Sequence, residues 1–158
     1  MLKKYKTCLF QFYSYICNIF YYSMISGKFA ITIHILTLLS KFPEDYLSSE
    51  FIAGSMNLHP VLVRKEIANL KKNNIVESKE GKNGGTKLLK SASNISLDAI
   101  FKMTFDTVNL GFSKNKPNPD CLVGKKINEN LENLYENINE KISSQLRGIS
   151  LEDFSNKF

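Results

Sequence analysis

At 158 residues and 43% hydrophobic content, the chain supports one domain with a real core and room for an appended arm. A net charge of +6 and a pI near 9.2 favour an anionic partner. Three cysteines, at positions 8, 17 and 121, are too few and odd in number for a disulfide framework, and they fit a reducing cytoplasm.

The charge is unevenly spread. Lys and Arg outnumber Asp and Glu by three to none over residues 1–23 and by ten to six over 24–90, but fall to eight against nine over 91–158. A basic first half followed by a slightly acidic second half suits a reader joined to a dimerising segment.

Residues 1–23 stand apart, with Lys3, Lys4 and Lys6 ahead of an apolar, aromatic-rich run. Three readings compete. A signal peptide has the right basic start, but Gln11, Ser14 and Asn18 interrupt its apolar region and no cleavage site is evident. A membrane-spanning helix is too short and too polar in the middle. The third is a leader upstream of a natural start at Met24, and the complete domain beginning there favours it; an amphipathic membrane-surface helix is the residual option.

Residues 25–41 predict the first core helix, with Ile25, Phe29, Ile33, Leu36 and Leu39 on one face, Ser26 as cap and Pro43 beyond the end. Its β-branched density would also suit a buried strand, but length and the 3.6 period argue for helix. His34, within it, reads as a partly buried or interface residue rather than a metal ligand.

The stretch from Ser48 to Lys90 carries the functional signal. A short helix holds Phe51, Ile52 and Met56 at helical spacing, with Ser48 or Ser49 as N-cap and a small Ala53 where a second helix crosses. Asn57 suits the left-handed turn, and Pro60 opens the second helix. There Val63, Ile67 and Leu70 form a core stripe, while Val61, Lys65, Ala68 and Lys72 lie opposite with Arg64 on the flank. A small or basic outer face suits a helix lowered into a major groove.

Two strands follow, one beginning at Ile75 and Val76, the other holding Leu88 and Leu89, around a Gly81–Gly85 tip. Lys79, Lys82, Asn83 and Lys87 make this hairpin a basic wing for the phosphate backbone or minor groove. Its glycines lack the Lys-Ser/Thr ending of a phosphate loop. With no nucleophile–base pair or metal cluster visible, the chain does not read as an enzyme.

Residues 93–106 predict a helix capped by Ser96 and apolar at Leu97, Ile100, Phe101, Met103 and Phe105. Residues 107–120 read as a hinge with Gly111, Pro117 and Pro119. A long helix is then expected from about Cys121 to Leu146. Val123, Ile127, Leu131, Leu134, Ile138, Ile142 and Leu146 make one apolar stripe, and Glu129, Glu132, Glu136 and Glu140 keep the other side solvated. Pairing with a second copy explains that stripe, with Ile127, Leu131, Leu134, Ile138 and Ile142 as the interface. Residues 150–158 add a short terminal helix with Phe154 and Phe158.

The fold class is therefore mostly α with a small β-hairpin wing. A leader (1–23) precedes a winged helix-turn-helix domain (24–106), a hinge (107–120), and a dimerisation helix with its tail (121–158). Two reading heads about 34 Å apart match successive major grooves and a palindromic operator.

From Met24 onward the chain resembles the Rrf-type winged-helix transcription regulators, the family that includes IscR, NsrR and CymR. The resemblance rests on MISGKFAITIHIL, SSEFIAGSMNLHPVLVRKEIANLKKNNIVES, the wing EGKNGGTKL and the ISLDAIF helix start; NPDCLVGKKI is similar to a YwnA-like subgroup. It implies a homodimer paired through the long helix and tuned by a sensed signal. Iron–sulfur members hold their cluster with three closely spaced cysteines before the long helix. Here that region has only Cys121, so no cofactor and no metal are expected.

Cys121, at a helix start near Lys125 and Lys126, is a candidate redox sensor, against a structural cysteine whose pKa Asp120 raises. The leading function is a dimeric, sequence-specific DNA-binding regulator, read as a repressor, that acts on double-stranded DNA in the cytoplasm without membrane contact. Val61, Arg64 and Lys65 approach bases, the wing residues flank them, and Ser48, Ser49 and His59 anchor phosphates. The alternative is a protein-interaction module using the same surface.

Overall fold

In the first described segment the 3.6 period prevails over β-branching, and residues 27–41 form a helix, α1. The computed structural model describes residues 27–81, 84–104 and 115–158. Helices α2 (Ser49–Met56) and α3 (Pro60–Lys72) follow, then strands β1 (Val76–Lys79) and β2 (Gly85–Leu88). A 3-10 turn at Ala92–Asn94 leads to α4 (Leu97–Thr104), α5 (Ile127–Arg147) and α6 (Leu151–Ser155). Ile25, Phe105 and the hinge at 107–114 lie outside the described residues, as does the leader.

The buried face of α1 is wider than one stripe. Thr32, Ile33, Ile35, Leu36 and Leu39 are buried, while Phe29 is half-buried and meets Phe101 edge-on at 5.9 Å. Around α1 close Ile52 and Ala53 of α2, Val63, Ile67 and Leu70 of α3, Val76 of β1, and Leu97 and Ile100 of α4. His34 is on the exposed side, its Nε2 2.9 Å from Ser55 Oγ, so it bridges α1 to α2 rather than entering the core.

The turn between α2 and α3 forms as its residues dictate. Ser48 Oγ accepts from Phe51 N–H at 3.1 Å, a cap contributing about 1 kcal/mol. Asn57 takes a left-handed conformation (φ 51°) and Leu58 N–H closes on the Ala53 carbonyl at 3.0 Å. His59 then caps α3, its Nδ1 accepting from Val61 N–H at 3.3 Å, with Pro60 where its missing N–H costs nothing.

The strands pair antiparallel with Val76 opposite Leu88, Glu77 opposite Lys87, Ser78 opposite Thr86 and Lys79 opposite Gly85. Ile75 and Leu89 fall just outside them. Leu47, ahead of α2, exchanges both backbone hydrogen bonds with Thr86 at 2.9 and 3.0 Å and so ties the wing to the helix-turn-helix. Gly85 is required there, because a Cβ would lie 2.6 Å from the Leu47 carbonyl oxygen.

At the other end, Leu97 N–H donates to Ile149 O and Leu151 N–H to Ile95 O, at 2.9 and 2.7 Å. These bonds fold α6 back onto the body of the same chain, with Leu151 fully buried and a Ser150–Asp153 capping box opening the helix. Buried Asp98 joins α4 to α5: Ser143 Oγ donates to Oδ1, while Lys102 Nζ (2.9 Å) and Arg147 Nε (3.8 Å) flank Oδ2. Ser143 holds this carboxyl below its usual range despite burial, and Lys102 adds to the effect.

One boundary corrects the sequence reading. The regular long helix begins at Ile127, not at Cys121. Residues 118–126 make a series of tight turns in which Cys121 N–H donates to Asn118 O (3.2 Å) and Lys125 N–H to Cys121 O (2.9 Å). Gly124 packs so close that a Cβ would lie 2.3 Å from the Asn118 carbonyl oxygen, which bends the chain back before the helix starts.

Candidate nucleic-acid interface

The two-faced reading of α3 is visible residue by residue. Val63, Ile67 and Leu70 are buried, while Val61, Lys65, Ala68 and Lys72 all face solvent, Val61 at 57% exposure. Apolar anchoring of one face therefore leaves the other free as a ridge of small and basic groups.

Arg64, on the flank of that ridge, is held by α2. Its Nε donates to Ser49 Oγ at 3.0 Å and its Nη2 pairs with Glu50 Oε1, while Ser49 Oγ donates to Glu50 Oε2 at 3.3 Å. The Glu50 carboxyl is held below its usual range, first by its own backbone N–H and then by Arg64. Ser48 and His59 have their side chains in capping bonds, and both cap positions lie at helix N-termini. Three residues read as phosphate anchors thus take up helix-end and Arg64-positioning contacts.

On the wing, Lys79 is exposed at the end of β1, and Lys82 and Asn83 lie outside the described residues. Lys87 turns inward. Its Nζ is 3.4 Å from Glu77 Oε1 and 4.9 Å from the Tyr46 ring centroid, and Tyr46 OH donates to the same carboxylate oxygen at 2.7 Å. The Tyr46 hydrogen bond pulls the Glu77 carboxyl down, and Glu77 raises the Lys87 ammonium, so this cluster stays charged over the neutral range.

Sequence reasoning missed Glu50, Tyr46 and Glu77. For Glu50 the available signal was the turn itself, since a tight helix-turn-helix sets the first turn of one helix beside the start of the next. Tyr46 and Glu77 meet across the wing, where no such local signal exists.

Along α5, Tyr135 and Ser143 are the buried residues. Ile127 and Leu134 are exposed, Leu134 by half, and Leu131, Ile138 and Ile142 are half-buried within one chain. Just before α5, the exposed Cys121 thiol is drawn below its usual range by the backbone N–H groups of Gly124 and then Val123.

A sequence profile of the Rrf2 family, described as iron-dependent transcriptional regulators, matches residues 25–157. The YwnA protein of Bacillus subtilis strain 168, named as an HTH-type transcriptional regulator, is 38% identical over 133 residues, 84% of this chain and 98% of its own. The chain belongs to the Rrf2 family. Among solved structures, a transcriptional regulator from Lactobacillus plantarum superposes with a TM-score of 0.69 at 21% identity, over 82% of this chain and 88% of that one. CymR, the cysteine regulator of B. subtilis, does so at 0.62 and 20%, over 83% and 95%. At these identities the two structures support the fold, a winged helix with a C-terminal helix. Rrf2 membership makes the chain a DNA-binding transcription regulator and not an enzyme.

The iron of the Rrf2 description finds no matching donor group among the described residues. Among the described residues no group of three His, Cys, Asp or Glu side chains converges, and Cys121 is the one thiol. No described helix is long and apolar enough to cross a membrane.

Proposed function

We propose that the protein binds palindromic double-stranded DNA as a homodimer and acts as a repressor. The solvent ridge of α3, small and basic beside a fully anchored inner face, carries this reading. Val61, Arg64 and Lys65 meet base edges, Lys79, Lys82 and Asn83 follow phosphates from the wing, and Ser48, Ser49 and His59 sit at the helix ends nearest the backbone. Lys87 supports the wing through Tyr46 and Glu77 and contributes charge from behind.

The uncovered part of α5, centred on Ile127, Leu131 and Leu134 and continuing to Ile138 and Ile142, pairs with the second copy. Two linked heads convert modest half-site affinities into a useful one. Cys121 lies in the turns that lead into this helix, six residues ahead of Ile127, with a thiol inclined to ionise. Its oxidation shifts how the helices pair and so the spacing of the heads.

Gel shifts on the DNA upstream of the protein's own gene, with and without peroxide, test the reading. Arg64→Ala relaxes base preference, by about 1–3 kcal/mol of lost discrimination at one position. Lys82→Ala weakens binding to all sequences and reduces the salt slope by about 1. Unchanged base preference in the first variant contradicts the role given to α3. Affinity indifferent to peroxide, with a Cys121 pKa at or above the free value, removes the sensor.

A further inference from the structure

We infer that Glu50 is a specificity-determining positioning residue: with Ser49 it aims Arg64 at a guanine. The inference rests on the DNA-reading role proposed for α3.

Three side chains close a ring of hydrogen bonds, in which the Arg64 Nε and Nη2 edge is spent on Ser49 Oγ and Glu50 Oε1 and Ser49 completes the circuit to Glu50 Oε2. A guanidinium has two such edges. The second, formed by Nη1 and the outer hydrogen of Nη2, is uncommitted among the described contacts and matches the two acceptors a guanine shows in the major groove. Glu50 and Arg64 are both more than half exposed. As a surface ion pair their contact adds little to folding stability, so its consequence lies in fixing an otherwise mobile side chain.

The anchor also imposes a charge rule. Paired with Glu50, Arg64 offers phosphates little net positive charge, so random DNA gains less from it than a site with guanine in register. A free Arg64 bends toward any phosphate or base acceptor. Glu50 thus raises discrimination by restricting where the guanidinium points and by repelling the backbone when Arg64 is displaced.

The test measures affinity by fluorescence anisotropy for the selected operator, for the operator changed at the guanine, and for random duplex, using the full chain. Glu50→Gln keeps the shape and removes the charge. It is expected to cut the preference for guanine by about fivefold or more, out of the roughly tenfold to hundredfold that one bidentate arginine supplies. Affinity for random duplex is expected to be equal or higher. Combined with Arg64→Ala, the Glu50 change is expected to add nothing further to base preference, since it acts through that side chain.

Thermal midpoints of all variants show whether the fold is intact. Should Glu50→Gln keep full base preference, lower all three affinities alike, or add to Arg64→Ala, the inference is overturned. Wild-type chain that binds every duplex equally overturns the α3 reading instead, and this inference with it.

Discussion

Asp98 is the residue on which the joint between the DNA-binding unit and α5 turns. Its carboxylate is buried and receives the Ser143 hydroxyl, so replacement by Asn removes a charge-assisted hydrogen bond of about 1.5–3 kcal/mol. Because the folded form holds this acid below its usual pKa, the stabilisation is fully present above the ordinary carboxylate value of about 4 and fades as pH falls through the lower folded one. Urea unfolding therefore shows wild type losing stability more steeply than Asp98→Asn on acidification below about pH 4. Parallel losses contradict the assignment.

At the same scale, Cys121 makes a kinetic prediction. Its thiol accepts from the Gly124 and Val123 N–H groups and is exposed, so iodoacetamide alkylation rises with pH around a midpoint below the free-cysteine value of about 8.5. A midpoint at or above that value denies the site any special reactivity.

Among the elements, the wing is the most exacting. Gly85→Ala sets a methyl group against the Leu47 carbonyl and breaks the paired bonds between Leu47 and Thr86. A thermal melt is expected to show a loss of about 1–3 kcal/mol, and the wing swings away from α3. A melt unchanged from wild type contradicts the tie.

The helices were legible because their signals are local: Ser48 as cap, Asn57 at the left-handed turn, Pro60 opening α3, and Val63, Ile67 and Leu70 inward. Three features were not legible, each for a physical reason. The apolar spacing from Val123 to Ile127 satisfies a helical period, yet the turn that brings Gly124 against Asn118, which apolar spacing does not report, holds the helix start back to Ile127. Thr32 and Ile35 are buried because α1 is contacted on several sides, which a single stripe does not encode. The Glu50–Arg64 pair joins residues fourteen apart through the geometry of the turn, and no periodicity displays it.

For the whole molecule, one copy leaves α5 with an uncovered apolar run and the outer face of α3 open to solvent. The partners proposed for these surfaces differ, a second copy for α5 and a duplex for α3, so a variant on one is expected to leave the other intact. Leu134→Asp places a charge on the uncovered run. By sedimentation it is expected to shift the protein from twice the 18.0 kDa chain mass toward a single chain. Binding to a paired site is expected to fall far more than binding to one half-site, as loss of bivalence requires. Variants that stay dimeric place the contact elsewhere.

The most direct measurement selects binders for the full-length protein from a pool of random duplexes and sequences what is retained. Two α3 ridges fixed by one dimer predict an inverted repeat whose half-sites lie about one helical turn apart, about 10 base pairs centre to centre. Enrichment of a lone, unrepeated element, or no enrichment over the starting pool, contradicts the account.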